Sequence, residues 1–145
     1  MTFSLVARCA ETGKFGVAIS SSSPAVAARC SYARAGTGAV ASQNITDPAL
    51  GPFALDLIQA GATAAEAIAR IKAESAFIDY RQVLVIDAAG GTAIHSGPNA
   101  LGIWAEAQGR DVAAGGNLLA NSGVPQAIVT GFEYSTGHLG DRLIA

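Results

Sequence analysis

The chain has 145 residues, of which 50% are hydrophobic and 14% are charged, and its formal net charge is −2. This composition predicts one domain over residues 1–145 with a packed core, and it argues against a disordered or fibrous protein. It offers neither a basic surface for a nucleic acid nor an apolar run long enough to span a membrane, so neither partner is expected.

The amino terminus lacks the basic start and apolar segment of a secretory signal, and Cys9 and Cys30 are the two cysteines of the chain. Cysteines in a chain without an export signal are expected to stay reduced, so we expect a cytoplasmic protein. No cluster of residues has the spacing of a metal site, and neither a metal nor another cofactor is expected.

Strands are predicted in the first third of the chain. Apolar and polar residues alternate over residues 2–10, and a turn at 11–14 leads into a second strand over 15–20. A third strand is predicted over 37–42. These segments form a hairpin followed by a further strand.

Two helices follow in the middle of the chain. Pro48 and Pro52 break the chain before a short helix over 53–59. Thr63 and Glu66 have the spacing of a capping box at the start of a longer helix that runs to Glu74. Apolar residues every three or four positions mark the buried face of that helix.

The remainder predicts a second hairpin over 81–87 and 92–96, strands near 103–108 and 110–114, a turn at 115–119, and helices over 125–134 and 138–145. The order of elements predicts an α+β fold in which two antiparallel sheets have helices outside them. The last helix ends with apolar residues and no cap. We therefore expect a missing C-terminal part, a companion fragment or a homo-oligomer.

Thr2 is the leading candidate for catalysis. The initiator methionine is usually removed before a small second residue, which would leave a threonine with a hydroxyl and a free α-amine. The reference pKa of an α-amine is about 7.7–8.0, so this amine can serve as the base for its own hydroxyl. Many proteins begin with Met-Thr by chance, so other residues must support this hypothesis.

Two polar segments near strand ends could support Thr2. Ser21 and Ser22 follow the second predicted strand and could hydrogen-bond the threonine, although a solvated turn has the same composition. Ser42, Gln43 and Asn44 could form an oxyanion hole through main-chain or side-chain N–H groups. The alternative for that segment is an ordinary polar loop.

Other candidates are isolated in the sequence. His95 ends a predicted strand, where a packing role is more common than a catalytic one. Charged residues are scarce, so Arg34 and Arg81 are candidates to hold a carboxylate, the alternative being surface arginines. Asn117 follows two glycines in the predicted turn at 115–119, where the backbone could approach a ligand closely.

Several segments in order resemble the family called domain of unknown function 1028, over nearly the whole chain. They are residues 2–8, 11–13, 15–18, 33–41, 47–48, 50–52, 80–82, 95–97 and 116–120. The resemblance implies an N-terminal-nucleophile (Ntn) hydrolase-like αββα sandwich, related in fold to the proteasome β-subunit, and a family length above 145 residues. It also implies Thr2 as nucleophile and base, supported by Ser21, Ser22 and either Arg29 or Arg34.

We therefore expect an Ntn amidohydrolase that cleaves a C–N bond of a small amide or cyclic imide, other than a peptide bond, through a Thr2 acyl-enzyme. The expected catalytic residues are Thr2, Ser21, Ser22, Arg34 and Asn44. The expected substrate-binding residues are Ser42, Gln43, Arg81, His95 and Asn117. Two alternatives stay open: a non-catalytic binding or assembly protein on this fold, and an enzyme whose nucleophile lies on a fragment released after Ala145.

Overall fold

Two four-stranded antiparallel sheets lie face to face in a computed structural model that describes residues 1–145. Sheet A has the strand order β2-β1-β8-β7, and sheet B has the order β3-β4-β5-β6. The strands are β1 Thr2–Arg8, β2 Phe15–Ser21, β3 Ser31–Arg34, β4 Gly38–Asn44, β5 Arg81–Asp87, β6 Thr92–Ser96, β7 Ala105–Gly109 and β8 Val112–Asn117.

Helices cover the outer face of each sheet. Sheet B packs against α2 and α3, and sheet A packs against α4 and α5. The helices are α1 Ala27–Cys30, α2 Leu50–Gln59, α3 Ala64–Glu74, α4 Val124–Tyr134 and α5 Leu139–Ile144. The predicted α+β sandwich of two antiparallel sheets is confirmed, and none of these helices has the length and apolar character that crossing a membrane requires.

Strand alternation sorts the side chains into an inner layer and two outer layers. Val6 and Leu84 belong to the cluster between the two sheets. Their neighbours point the other way: Val83 packs with α2 and α3, whereas Leu5 packs with α4 and α5. Only every second residue of a strand therefore points into the inter-sheet space, and the residues between them point toward the helices.

The start of α3 is fastened twice. Thr63 Oγ1 accepts from Glu66 N at 3.2 Å and Glu66 Oε2 accepts from Thr63 N at 2.8 Å, which confirms the predicted capping box. The Asp87 carboxylate accepts from the N–H groups of Ala64, Ala89 and Gly91 at 2.9–3.0 Å. It therefore ties the turn after β5 to the first turn of α3.

The predicted turn at 115–119 is wrong, because β8 continues through Gly115, Gly116 and Asn117. The glycines serve close packing instead. A Cβ on Gly116 would lie 2.6 Å from Leu119 Cδ2 and 2.9 Å from the Thr2 carbonyl oxygen. The chain leaves the sheet just after Asn117, where Leu118 has a φ of 52°.

The short helix α1 and the short edge strand β3 were not predicted. Each has four residues. Neither is long enough to show a helical or strand period in the sequence. Their position depends on the pairing of β3 with β4, which no local pattern specifies.

Candidate active site

The side chain of Thr2 faces the space between the sheets. Thr2, Ser4 and Val6 share one face of β1, because alternate residues of a strand point the same way. Ser4 Oγ donates to Gln43 Oε1 of sheet B at 2.7 Å, and Val6 belongs to the inter-sheet cluster. The first residue of β1 therefore opens into the end of the inter-sheet space, which we call the Thr2 cleft.

Ser21 lies next to Thr2 on β2. The two residues are register partners, and their side-chain oxygens are 2.8 Å apart. Ser21 Oγ also accepts from Ser23 N at 3.1 Å. Either hydroxyl of the Thr2–Ser21 pair can be the donor, so Ser21 can donate its proton to Thr2 Oγ1.

Ser22 is paired with Met1. The Met1 ammonium donates to Ser22 Oγ at 3.2 Å, and Ser22 N donates to the Met1 carbonyl oxygen at 3.1 Å. Met1 thus continues the pairing of β1 with β2. With Met1 in place, the nitrogen of Thr2 is a peptide amide, and the free α-amine exists only after Met1 is removed.

The hydrogen-bonding pattern of β1 fixes the direction in which the Thr2 nitrogen points. In an antiparallel ladder, alternate residues bond to the same neighbouring strand. Arg8 N donates to the Asp111 carbonyl oxygen at 2.9 Å on the β8 side, so the even-numbered residues of β1 direct their N–H groups toward β8. Thr2 is one of them, and its register partner on β8 is Asn117. The Thr2 nitrogen therefore faces the Asn117 main-chain carbonyl.

Neutral amide side chains form the floor of the Thr2 cleft. Gln43 Nε2 donates to Gln82 Oε1 at 2.8 Å, and Asn117 Nδ2 donates to the same oxygen at 3.3 Å. Gln82 Nε2 donates to Ser96 Oγ at 2.9 Å. Gln43, Gln82 and Asn117 are all buried. We call this chain of three amides, with Ser4 bonded to Gln43, the amide network.

Gln82, Ser4 and Ser96 also belong to this site, although the sequence did not predict them. A usable signal was present for Gln82, since this polar residue directly precedes the apolar run of β5. Opposite residues on neighbouring strands share a face, so the register of Gln82 with Gln43 and Ser96 places all three toward sheet A.

Ser42 and His95 face away from the Thr2 cleft. Both are register partners of Val83, which packs beneath the outer helices of sheet B. Ser42 Oγ donates to the Asp47 carbonyl oxygen at 3.0 Å, and His95 Nε2 lies 2.9 Å from the Ile78 carbonyl oxygen. This corrects the expectation that the two side chains bind substrate beside Thr2.

Asn44 and Arg81 hold the loops at the end of sheet B. Asn44 Nδ2 donates to the Tyr80 carbonyl oxygen at 2.5 Å, and its Oδ1 accepts from Leu101 N at 3.1 Å. Arg81 Nη1 donates to the Ile45 carbonyl oxygen. Both residues have the same strand parity as Val83, so the structure does not bring them into the cleft as an oxyanion donor or a substrate clamp.

Arg34 is remote from Thr2. It bonds Asp56 at 2.8 Å on the exposed side of α2, and its register partner is Gly38 at the start of β4. Gly38 is five residues before Gln43, a separation of roughly 16 Å along a strand. The other arginine considered, Arg29, donates to the Pro24 carbonyl oxygen at 2.6 Å. The structure therefore does not bring Arg34 to Thr2, contrary to the expectation from the sequence.

Exposed apolar side chains stand near the same end of the sandwich. Leu118 follows Asn117 and Ile45 follows Asn44, and they are 48% and 47% exposed. Leu101 accepts from Leu118 N through its carbonyl oxygen at 2.8 Å. The end of the sandwich that holds Thr2 thus combines a polar interior with apolar loops. No three His, Cys, Asp or Glu side chains come together anywhere in the chain as a metal site would require.

These features define an α+β sandwich whose first strand begins at a polar cleft between its sheets. The chain belongs to the family of unknown function DUF1028, whose model matches residues 2–145. It is similar to a crystal structure of a DUF1028 protein from Silicibacter pomeroyi, with a TM-score of 0.94 and 26% identity over 99% of this chain and 66% of that one. The chain thus spans just under two thirds of that protein. No curated protein matches it.

Proposed function

We propose that the protein is an N-terminal-nucleophile amidohydrolase that acts once Met1 is removed, with Thr2 as nucleophile and base. One observation carries this proposal: Thr2 Oγ1 opens into the polar cleft at 2.8 Å from Ser21 Oγ, while the nitrogen of the same residue faces a carbonyl of β8. Hydroxyl, future amine and hydrogen-bonding partners therefore meet in one place. That is the arrangement such catalysis needs.

In the proposed reaction, Thr2 Oγ1 attacks the carbonyl carbon of an amide, and the hydroxyl proton passes to the α-amine of Thr2. The tetrahedral intermediate collapses as the C–N bond breaks, and the ammonium returns that proton to the leaving nitrogen. The product is an ester on Thr2. Water then attacks the ester with the amine again as base, which releases the acid and restores the threonine hydroxyl.

Ser21 stabilises the reacting oxygen in this scheme. Either hydroxyl of the pair can donate, and the Ser21 hydroxyl donates its proton to Thr2 Oγ1 as negative charge develops there. A hydrogen bond to a charged oxygen is stronger than one to a neutral hydroxyl. The contact therefore contributes more in the transition state than in the resting enzyme.

The neutral floor of the cleft favours a neutral substrate. Gln43, Gln82 and Asn117 present amide dipoles and no formal charge. A small amide or a cyclic imide has matching donors and acceptors, and both contain the C–N bond that the scheme cleaves. We propose this class of substrate for the site.

The test compares two forms of the chain, one produced behind a cleavable fusion so that it begins at Thr2, the other beginning at Met1. Each is treated with a β-lactone probe, which acylates activated threonine hydroxyls, and is then digested for peptide mapping. We expect acylation at Thr2 in the first form only. Thr2→Ala should abolish it and Thr2→Ser should retain it, whereas Thr130→Ala, on the exposed face of α4, should leave it unchanged.

A chain that begins at Thr2 and is not acylated there would contradict the proposal, as would equal labelling of Thr2→Ala. One observation favours a second candidate, a non-catalytic binding protein on this fold: Met1 is itself hydrogen-bonded to Ser22 as a continuation of β1. Under that alternative the functional protein keeps Met1. Intact mass measurement of protein purified from its natural source distinguishes the two.

A further inference from the structure

We propose that Asn117 holds the α-amine of Thr2 through its side-chain oxygen Oδ1, and that Gln82 is the positioning residue that turns this oxygen toward the amine. The proposal rests on the proposed function in taking Thr2 as the first residue of the mature chain. It adds a partner for the base and a reason for the buried amides beneath it.

The position of the amine follows from the ladder. The Thr2 nitrogen points toward β8, where it faces the main-chain carbonyl of Asn117. Removal of Met1 turns this nitrogen into an amine with further hydrogens that the carbonyl alone does not satisfy. Thr2 and Asn117 are direct register partners, so their side chains project from the same face of sheet A. The Asn117 side chain therefore projects from β8 directly opposite Thr2.

Main-chain carbonyls fix the orientation of the Gln43 and Gln82 amides. A carbonyl can only accept, so the Gln43 atom that lies 3.2 Å from the Gly115 oxygen must be Nε2. In the same way, the Gln82 atom that lies 3.2 Å from the Gly116 oxygen must be Nε2. The opposite end of the Gln82 amide is then Oε1, which accepts from Gln43.

Asn117 takes its orientation from Gln82. Because the Gln82 atom that faces it is an oxygen, Asn117 must offer Nδ2, and it does so at 3.3 Å. Asn117 Oδ1 then has no protein partner. The residue is only 3% exposed, so this unpartnered oxygen lies at the edge of the buried amide network. The side chain of the register partner of Thr2 thus keeps one acceptor atom that no protein donor occupies.

The acceptor matters because the amine cycles between neutral and charged forms. A carbonyl oxygen that accepts from the ammonium favours the charged form and fixes the direction of the remaining lone pair or proton. The surrounding elements offer uncharged groups: Ser21 from β2, and Gln43 and Gln82 from sheet B. Two ionisable residues of sheet A share this face: Glu106 of β7, exposed and opposite Gly115, and Arg8 at the far end of β1, which is ion-paired with Asp111.

The experiment measures titration of the Thr2 α-amine and needs no catalysis. Chains that begin at Thr2 are labelled with acetic anhydride across a pH series, and the extent of labelling of the N-terminal peptide is read by mass spectrometry. Asn117→Asp places a carboxylate beside the amine, so the midpoint of labelling should rise by about one pH unit. Asn117→Ala removes the acceptor, so the midpoint should fall.

Opposite shifts in these two variants are the expected result, because a merely structural role would not move the midpoint in two directions. Gln82→Leu should shift it in the direction of Asn117→Ala, since the Asn117 amide loses its fixed orientation. Gln59→Glu, which adds the same charge on the exposed side of α2, should leave it unchanged. An identical midpoint in the wild type, Asn117→Asp and Gln82→Leu overturns the inference.

A failure here is distinct from a failure of the proposed function. If the midpoints do not move but the β-lactone still acylates Thr2, the amine has another partner and the enzyme proposal stands. If the midpoints move as expected but no acylation occurs, Asn117 holds the amine of a protein that lacks hydrolase activity. If the alanine variant does not fold, the shifts in Asn117→Asp and Gln82→Leu decide the outcome.

Discussion

Ser4 and Gln43 join the two sheets through a hydrogen bond of 2.7 Å between Ser4 Oγ and Gln43 Oε1. The two residues are 39 positions apart and both are buried. The bond therefore anchors the amide network of sheet B to the strand that begins with Thr2.

Ser4→Ala should lower the free energy of unfolding by about 1–3 kcal/mol, because the buried oxygen of Gln43 loses its donor. Urea denaturation followed by circular dichroism measures the change. Ser20→Ala, an exposed serine of β2, is the matched control and should change stability by less than about 0.5 kcal/mol. Equal stability of the two variants would show that Gln43 finds another donor.

Ser21→Ala should slow acylation of Thr2 by about tenfold, the loss that follows from removing about 1.4 kcal/mol of stabilisation from the transition state. The measurement is the rate of β-lactone labelling in the chain that begins at Thr2. Ser23→Ala is the control, since it is the main-chain N–H of Ser23, and not its hydroxyl, that contacts Ser21. A Ser21 variant that reacts at the wild-type rate would remove this residue from the mechanism.

Asn44→Ala should reduce stability by about 1–3 kcal/mol, because Leu101 N and the Tyr80 carbonyl oxygen lose their partner. Asn44 also has a φ of 75°, which asparagine tolerates better than alanine does. Asn44→Gly removes the same bonds but tolerates that φ, so the difference between the two variants in denaturation midpoint isolates the backbone strain. A large loss of Thr2 acylation in a stably folded Asn44→Gly would reinstate the residue as a catalytic group.

Asp87→Ala should lower the free energy of unfolding by about 2–4 kcal/mol, because three N–H groups lose a charged acceptor. Calorimetric melting or urea denaturation measures the loss. The control is Asp56→Ala, since Asp56 forms an exposed ion pair with Arg34 and such pairs contribute at most about 1 kcal/mol. If both variants lose the same stability, the hydrogen bonds of the Asp87 carboxylate do not stabilise the start of α3 and the turn after β5.

The capping box of α3 predicts a pH dependence. The main-chain N–H of Thr63 and then its hydroxyl lower the pKa of the Glu66 carboxyl below the ordinary value of 4.5. Because the folded-state value is the lower one, the contribution to stability is fully present above pH 4.5 and is lost as the pH falls through the folded-state pKa. Glu66→Gln should therefore show a smaller loss of stability than the wild type across that acidic range.

Urea midpoints measured between pH 6 and about pH 3 test the effect of the capping box. Glu11→Gln, an exposed acidic residue in the turn between β1 and β2, serves as the control and should retain the wild-type slope. A slope that is unchanged in Glu66→Gln would mean that Glu66 keeps its ordinary pKa in the folded chain.

Local signals predicted much of the fold. The β5–β6 hairpin has the predicted bounds, and α3 begins at the predicted capping box, because turn glycines and caps act over a few residues. The end of β8 was mispredicted for the same reason, since Gly115 and Gly116 read locally as a turn. What keeps them in a strand is the close approach of Leu119, Leu84 and the Thr2 carbonyl, which only the assembled sandwich brings near.

The candidate site was less predictable because neighbouring strand residues face opposite ways. Ser42 and Gln43 are adjacent in sequence, yet only Gln43 reaches the Thr2 cleft. Which of the two points inward depends on the stacking of β4 against β1, and the sequence contains no local record of that contact. A partner for Thr2 at Ser21 or Ser22 could be predicted because the two strands are neighbours in sequence, and the register of the hairpin selects Ser21.

The amides of Gln43 and Gln82 each have one fixed orientation, so the protein is sensitive to their deamidation. Hydrolysis of the Gln43 amide to a carboxylate would place an acceptor against the carbonyl oxygen of Gly115, and the same change at Gln82 would do so against Gly116. Two acceptors cannot satisfy each other, so each event leaves unpaired oxygens in the buried space between the sheets. Deamidation during long storage should therefore damage the protein more at these glutamines than at exposed ones such as Gln59.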